Sequence, residues 1–171
     1  MHKSHTREDA HSMMQFMVQL ITTKGKEIDM FKFIEKNQEN PYKVIESIKH
    51  LENKYNITFP DILKDLYSKS ESGKILLSTF FVGHVECDVD YLISVVSEGF
   101  CFESIVDADR EDDFIPNTLY PVAMNQGGDI YYWDSNEKKV YLSFSDDIEN
   151  PFLISNSVEE FISLLNNNIV F

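Results

Sequence analysis

The sequence predicts an α+β fold: a single domain with a mostly antiparallel sheet of about four to six strands and helices packed against it. Three observations predict it. Between Leu119 and Ser145, three runs rich in β-branched and aromatic residues are separated by turn residues. Upstream, two segments with apolar residues at helical spacing flank Pro60. Near the C-terminal end, Ser157-Val158-Glu159-Glu160 opens a third such segment.

The opening stretch, Met1 to Ser12, is polar and is expected to be loose. His2, His5 and His11 lie in it, but a tail offers no surrounding groups to orient metal ligands, so no metal is expected. Met13 to Ile21 and Met30 to Ile34 are apolar enough for short helices. Residues 1–36 are read as an N-terminal extension and 37–171 as the domain proper.

Asn40-Pro41 is a helix start, because Asn caps free amides and Pro at the first helical position loses no bond. Val44, Ile45, Ile48, Leu51 and Tyr55 then form one apolar stripe, and Asn56 suits a left-handed stop. A second helix begins after Pro60, with Asp61 favourable at its N-terminus and Ile62, Leu63, Leu66 and Tyr67 as its apolar face. Lys74 to Val82 is nearly all apolar, which predicts a strand covered on both faces or central in the sheet. Asp90 is placed to cap a helix over Tyr91 to Glu98, stopped by Gly99. Phe100 to Phe114 reads as a helix or an acidic loop.

The three runs that follow are Leu119 to Met124, Asp129 to Asp134 and Lys139 to Ser145, a predicted meander. Pro121 cannot donate to a ladder, so the first strand is expected at an edge or after that residue. Gly127-Gly128 belongs to no phosphate-loop pattern and reads as a hairpin turn. In the last helix the Ser157 hydroxyl and Glu160 carboxylate are spaced as a capping box, with Val158, Phe161, Ile162 and Leu165 turned to the core.

Net charge is -14 and unevenly spread. Residues 1–85 are close to neutral, at +1. Residues 86–113 hold ten acids and only Arg110, a net of -9, and residues 114–171 carry -6. Such a chain repels phosphate, so nucleic acid is not an expected partner, whereas a basic protein is attracted and steered in. Asp88, Asp90, Asp107, Asp109, Glu111, Asp112 and Asp113 are the candidate partner-binding acids. The ordinary reading of the same run is a solvated charged segment. It does not fit a calcium loop, since the sixth-position Gly and the terminal Glu are missing. Tyr131 and Trp133 alternate onto one strand face, with Tyr132 on the other. Core packing is their ordinary role, and an aromatic anchor for a partner is the rival one.

No nucleophile elbow or cofactor motif is present, so neither an enzyme nor a cofactor is expected. His84 and Cys87 are neighbours only in sequence. Cys87 and Cys101 read as small buried residues in a reducing cytosol, which places the protein in the cytoplasm. No run reaches the ~20 apolar residues that cross a bilayer, and the opening does not read as a secretory signal.

The order of these pieces resembles the SUKH superfamily. The matching residues are Ile115-Pro116, Tyr120-Pro121-Val122-Ala123, Gly127-Gly128-Asp129, Trp133-Asp134, Val140-Tyr141 and Ser157 to Leu165. Val44 to Tyr55 with Phe59-Pro60-Asp61-Ile62-Leu63-Lys64 resembles the family's opening helix pair. The resemblance implies the same α+β architecture. It implies an immunity protein that binds a cognate bacterial toxin, often a nuclease and hence basic, or else a regulatory scaffold like the fungal Smi/Knr members. A small-molecule-binding domain with an aromatic cleft is the third reading. The motif positions are expected to set the fold rather than to read the partner.

Overall fold

The computed structural model describes residues 31–34, 40–70, 73–96 and 99–171. Two compact units divide the chain, Met1–Lys32 and Phe33–Phe171, and every helix and strand named below lies in the second. The histidines of the first residues and the expected helix over Met13 to Ile21 fall outside the described residues.

Helix α1 (Pro41–Tyr55) starts as its sequence predicts: Asn40 Oδ1 accepts from the Tyr42 amide at 3.2 Å. It ends at Asn56, whose φ of 54° turns the chain left-handed. Val44, Ile48 and Leu51 are buried, but Ile45 is 46% exposed, so the buried stripe is narrower than the spacing predicts. Glu52 then ties down the connector, accepting from the Phe59 amide at 2.9 Å and pairing with Lys64 at 3.1 Å. Helix α2 (Asp61–Lys69) buries Leu63, Leu66 and Tyr67.

Six antiparallel strands follow in simple sequence order: β1 (Lys74–Val82), β2 (Val85–Leu92), β3 (Leu119–Met124), β4 (Ile130–Asp134), β5 (Val140–Phe144) and β6 (Asp147–Ser155). Helix α3 (Phe102–Asp112) interrupts the meander between β2 and β3, and α4 (Val158–Asn167) closes the chain. In α4, Ser157 Oγ accepts from the Glu160 amide at 3.1 Å, while Glu160 Oε2 accepts from the Asn156 amide at 2.8 Å. The reciprocal capping bond is therefore made one residue upstream of the usual one.

The sheet has an inner face, covered by α4 and the α1–α2 connector, and an outer face. On the inner face Tyr131 stacks on Phe161 at 5.4 Å, and Phe59, Phe102, Tyr120 and Trp133 form one aromatic cluster with centroids 5.2 to 6.0 Å apart. Tyr131 and Trp133 are each 0% exposed, so neither is an anchor for a partner. Tyr132 points outward as alternation requires, but Ile115 and Leu119 cover it.

Four expectations need correcting. Strand β1 is the first strand in the order, not a central one, and its outward residues Leu77 and Phe81 are exposed. Its outer edge is met by other chain instead: Ile34 bridges Ile75, and the Val170 amide donates to Leu77 O at 2.9 Å. The segment after Asp90 is not a helix. Tyr91 and Leu92 finish β2, and the described residues to Val96 are irregular, consistent with β-branched Val95 and Val96 disfavouring helix. The helix starts instead at Phe102, where the Cys101 amide donates to Ser104 Oγ at 2.9 Å. Strand β6 emerges from Asp147-Ile-Glu-Asn-Pro, where Asn150 and Pro151 hide the strand pattern.

The fourth correction positions the site. Strand β3 lies inside the sheet and includes Pro121. It pairs with β2 only at Tyr91↔Met124 and Leu92↔Ala123, so Leu119 to Pro121 have no β2 partner. Pro121 has no amide to give and sits where β2 has departed and the β3–β4 register shifts. Helix α3 takes the vacated place, with Phe102 stacked on Tyr120 and Arg110 Nη2 donating to Leu119 O at 3.3 Å. The most acidic helix of the domain is thereby set into the seam of the sheet.

Candidate partner-binding surface

Strand register decides what the outer face presents. Ser78, Phe80, Cys87 and Val89 are buried on the inner side, so Leu77, Thr79 and Phe81 alternate outward on β1, and Glu86, Asp88 and Asp90 on β2. Phe81 pairs with Glu86 and Thr79 with Asp88. An apolar stripe thus runs beside an acidic one, and Phe81 is 65% exposed. Thr79 Oγ1 donates to Asp88 Oδ1 at 2.8 Å, and the Gln126 amide donates to Asp90 Oδ2 at 3.0 Å. Both bonds fix a carboxylate in place without neutralising it.

Helix α3 sorts its acids by helical spacing. Glu103 and Asp107, four apart, face α1. Lys54 Nζ lies 2.7 Å from Glu103 Oε1 and 2.9 Å from Asp107 Oδ2, and Tyr55 Oη donates to Asp107 Oδ1 at 2.7 Å. Tyr55 and Lys54 hold the Asp107 carboxyl below its ordinary range, and Lys54 does the same to Glu103. Lys54 is a single cation shared between Asp107 and Glu103, so the group keeps a net negative charge. Asp107 stays exposed, with part of its acceptor capacity taken up inside the domain.

Asp109 faces the other way. Tyr132 Oη donates to its Oδ2 at 3.0 Å. Burial pushes the carboxyl up, and no described cation forms an ion pair with it. Glu111, Asp112 and Asp113 are exposed at the end of the helix, where Asp113 takes a left-handed φ of 56°. Arg110, the one base of residues 86–113, is turned inward: its Nη2 reaches Asn117 O at 2.9 Å and its guanidinium lies 5.1 Å from the Tyr120 ring centroid. Its charge favours the ionised form of the neighbouring Asp109, though less than burial opposes it.

Between α3 and β4 lies a groove of about 430 Å³, lined by Gly99, Phe100, Ser104, Ile105, Ala108, Asp109 and Ile130. Phe100 is 62% exposed. Sequence reasoning missed Phe100, Ile130, Phe81 and Glu86. The signal available was an exposed-type position carrying a large apolar residue next to Gly99, and it becomes readable only once α3 is known to start at Phe102.

The predicted acids do not form one cluster. Asp88 and Asp90 share the β2 stripe, Asp109 lies at the groove, and Glu111, Asp112 and Asp113 crown the end of α3. The run 107–113 is helix up to Asp112, so its carboxylates diverge rather than converge on a cation. Among the described residues no three His, Cys, Asp or Glu side chains are grouped to hold a metal. Cys87 is buried, its thiol donates to Val85 O at 3.7 Å, and burial pushes it up to about 11, so it is a protonated thiol at neutral pH. No helix among the described residues is long and apolar enough to cross a membrane.

The positions shared with the SUKH pattern do structural work. Asp129 Oδ2 accepts from Asn125 Nδ2 at 2.9 Å, its amide donates to Asn125 Oδ1 at 3.0 Å, and its Oδ1 accepts from the Ser145 amide at 2.8 Å. One carboxylate so joins the β3–β4 turn to the end of β5, while Gly128 supplies the required φ of 86°. Asp134 Oδ1 accepts from the Asn136 and Glu137 amides at 2.8 and 3.0 Å and closes the next turn. Residues 45–164 match the SMI1 / KNR4 family (SUKH-1) over most of this framework. The chain belongs to that family. A comparison with curated proteins finds no match. The SUKH-1 match begins within α1 and ends within α4, and it includes the groove and both acidic regions.

Proposed function

We propose that this SUKH-1 protein is an immunity protein that binds and neutralises a cognate bacterial toxin, a basic nuclease-type enzyme, by direct contact. The observation that carries the reading is the outward display of carboxylates, Asp88 and Asp90 held by hydrogen bonds on β2 and the exposed Asp112 and Asp113 at the C-terminal end of α3, with Arg110 turned into the fold. A nuclease needs a cationic surface to hold phosphate, and a surface of carboxylates competes for it. Family membership supports a role in protein–protein interaction. The protein acts without catalysis and without a cofactor, in the cytoplasm, where the two free cysteines remain reduced.

The test is co-expression with the product of the adjacent gene. The reading expects a stable complex on size-exclusion chromatography and rescue of growth when the toxin is induced. A purified pair that elutes separately, with no rescue, overturns it and favours a regulatory scaffold with other partners.

A further inference from the structure

The groove between α3 and β4 is lined mostly by apolar side chains, with Ser104 and Asp109 as the polar ones. Phe100, Ile105, Ala108 and Ile130 provide the apolar surface, and Asp109 stands among them. A carboxylate presents about four acceptor sites. Here Tyr132 Oη occupies one of them, at Oδ2, and no described cation pairs with the group. Arg110 follows Asp109 in sequence but spends its Nη2 on the Asn117 and Leu119 carbonyls.

We propose that this groove receives a lysine or arginine side chain from the basic partner, its methylene stem along Phe100, Ile105, Ala108 and Ile130 and its charged head on Asp109. This rests on the reading of the protein as a binder of a basic protein. Charge complementarity selects the occupant. An apolar side chain would bury Asp109 further with no counter-charge, which is costly. An anion would be repelled by Asp109, whose negative potential is reinforced by Asp112. A long cationic side chain alone satisfies both halves of the site, since its stem is apolar and its head is not. The volume of about 430 Å³ lies in the range of sites that take one small ligand. Burial holds the Asp109 carboxyl above its ordinary range, and an arriving cation relieves that penalty, so binding and ionisation favour one another.

The test uses the full chain, ¹⁵N-labelled, titrated with n-butylguanidinium chloride and separately with 1-pentanol as a neutral stem, at constant ionic strength. The expected result is saturable shifts of the Gly99, Phe100, Ser104, Ala108 and Ile130 amides with the cation, and weaker binding of the alcohol. Asp109→Asn, which keeps an acceptor for Tyr132, should weaken the cation by about fivefold or more. Ala108→Trp, at an exposed position, should abolish both by filling the groove, and Asp147→Asn on β6 should change neither. Equal affinity for the two probes, or a cation affinity indifferent to Asp109→Asn, overturns the proposal, as does an absence of saturable shifts. No toxin enters this titration, so its failure and a failure of growth rescue are separate results.

Discussion

Tyr132 Oη donates to Asp109 Oδ2 at 3.0 Å, joining the outer face of β4 to the acidic helix α3. The bond holds a carboxylate in surroundings that raise its pKa, because burial outweighs the help from Tyr132 and Arg110. A group whose folded pKa is raised adds stability that is complete below its unfolded pKa and is lost as pH rises through the folded value. At neutral pH the ionised Asp109 therefore costs stability. Asp109→Asn should raise the melting temperature at pH 7 by about 1–2 °C, and the gain should vanish near pH 3. A lower melting temperature at pH 7 than the parent would contradict this reading of the site.

Two residues earlier on the same helix the balance reverses. Lys54, Tyr55, Glu103 and Asp107 form a satisfied network on the α1 side. The carboxyls of Glu103 and Asp107 are held down, so their contribution is present above the unfolded carboxylate range and is lost as pH falls through the folded values. The groups are more than a third exposed, and solvent screening keeps the effect small. Lys54→Met should cost about 0.5–1 kcal/mol in urea unfolding at pH 7 and low salt. The cost should shrink in high salt and as pH falls through the lowered carboxyl values. Asp107→Ala should lower stability in the same measurement.

Much of this fold is legible in local chemistry. The caps at Asn40 and Ser157, the left-handed Asn56 and the three central strands follow from residue types at fixed spacing. What sequence alone hides is set by tertiary pairing. Strand β2 alternates acids with buried residues, and its last two residues look like a helix start only while their partners, Met124 and Ala123, are unknown. Pro121 argues for an edge until β2 is seen to leave. The acids were legible as a group but not in their roles. Which of them is spent on Lys54, and which faces a groove, depends on how α3 is rotated in the seam.

Asp129 illustrates a family position that serves the fold. Asp129→Ala removes contacts to Asn125 and Ser145 at once. It should lower the urea midpoint by an amount equivalent to about 1–3 kcal/mol. Partner affinity, measured well below melting, should stay within about twofold of the parent.

Phe81 makes the opposite case. It is 65% exposed beside Glu86, and its removal leaves no cavity. Phe81→Ser should change stability by less than about 0.5 kcal/mol. If the β1–β2 stripes meet the partner, calorimetric titration should show affinity weakened about tenfold. Unchanged affinity would confine the interface to the α3 side.

The central claim is attraction of a basic protein by the carboxylates of the outer face and α3. Association and dissociation rates with the adjacent-gene toxin, measured by stopped flow from about 0.03 to 0.5 M NaCl, test it most directly. The account predicts an association rate that falls steeply with salt, a dissociation rate that barely moves, and a flattened salt slope in the Asp88→Asn, Asp90→Asn, Asp112→Asn, Asp113→Asn variant. An association rate indifferent to salt, and identical in that variant, would contradict it.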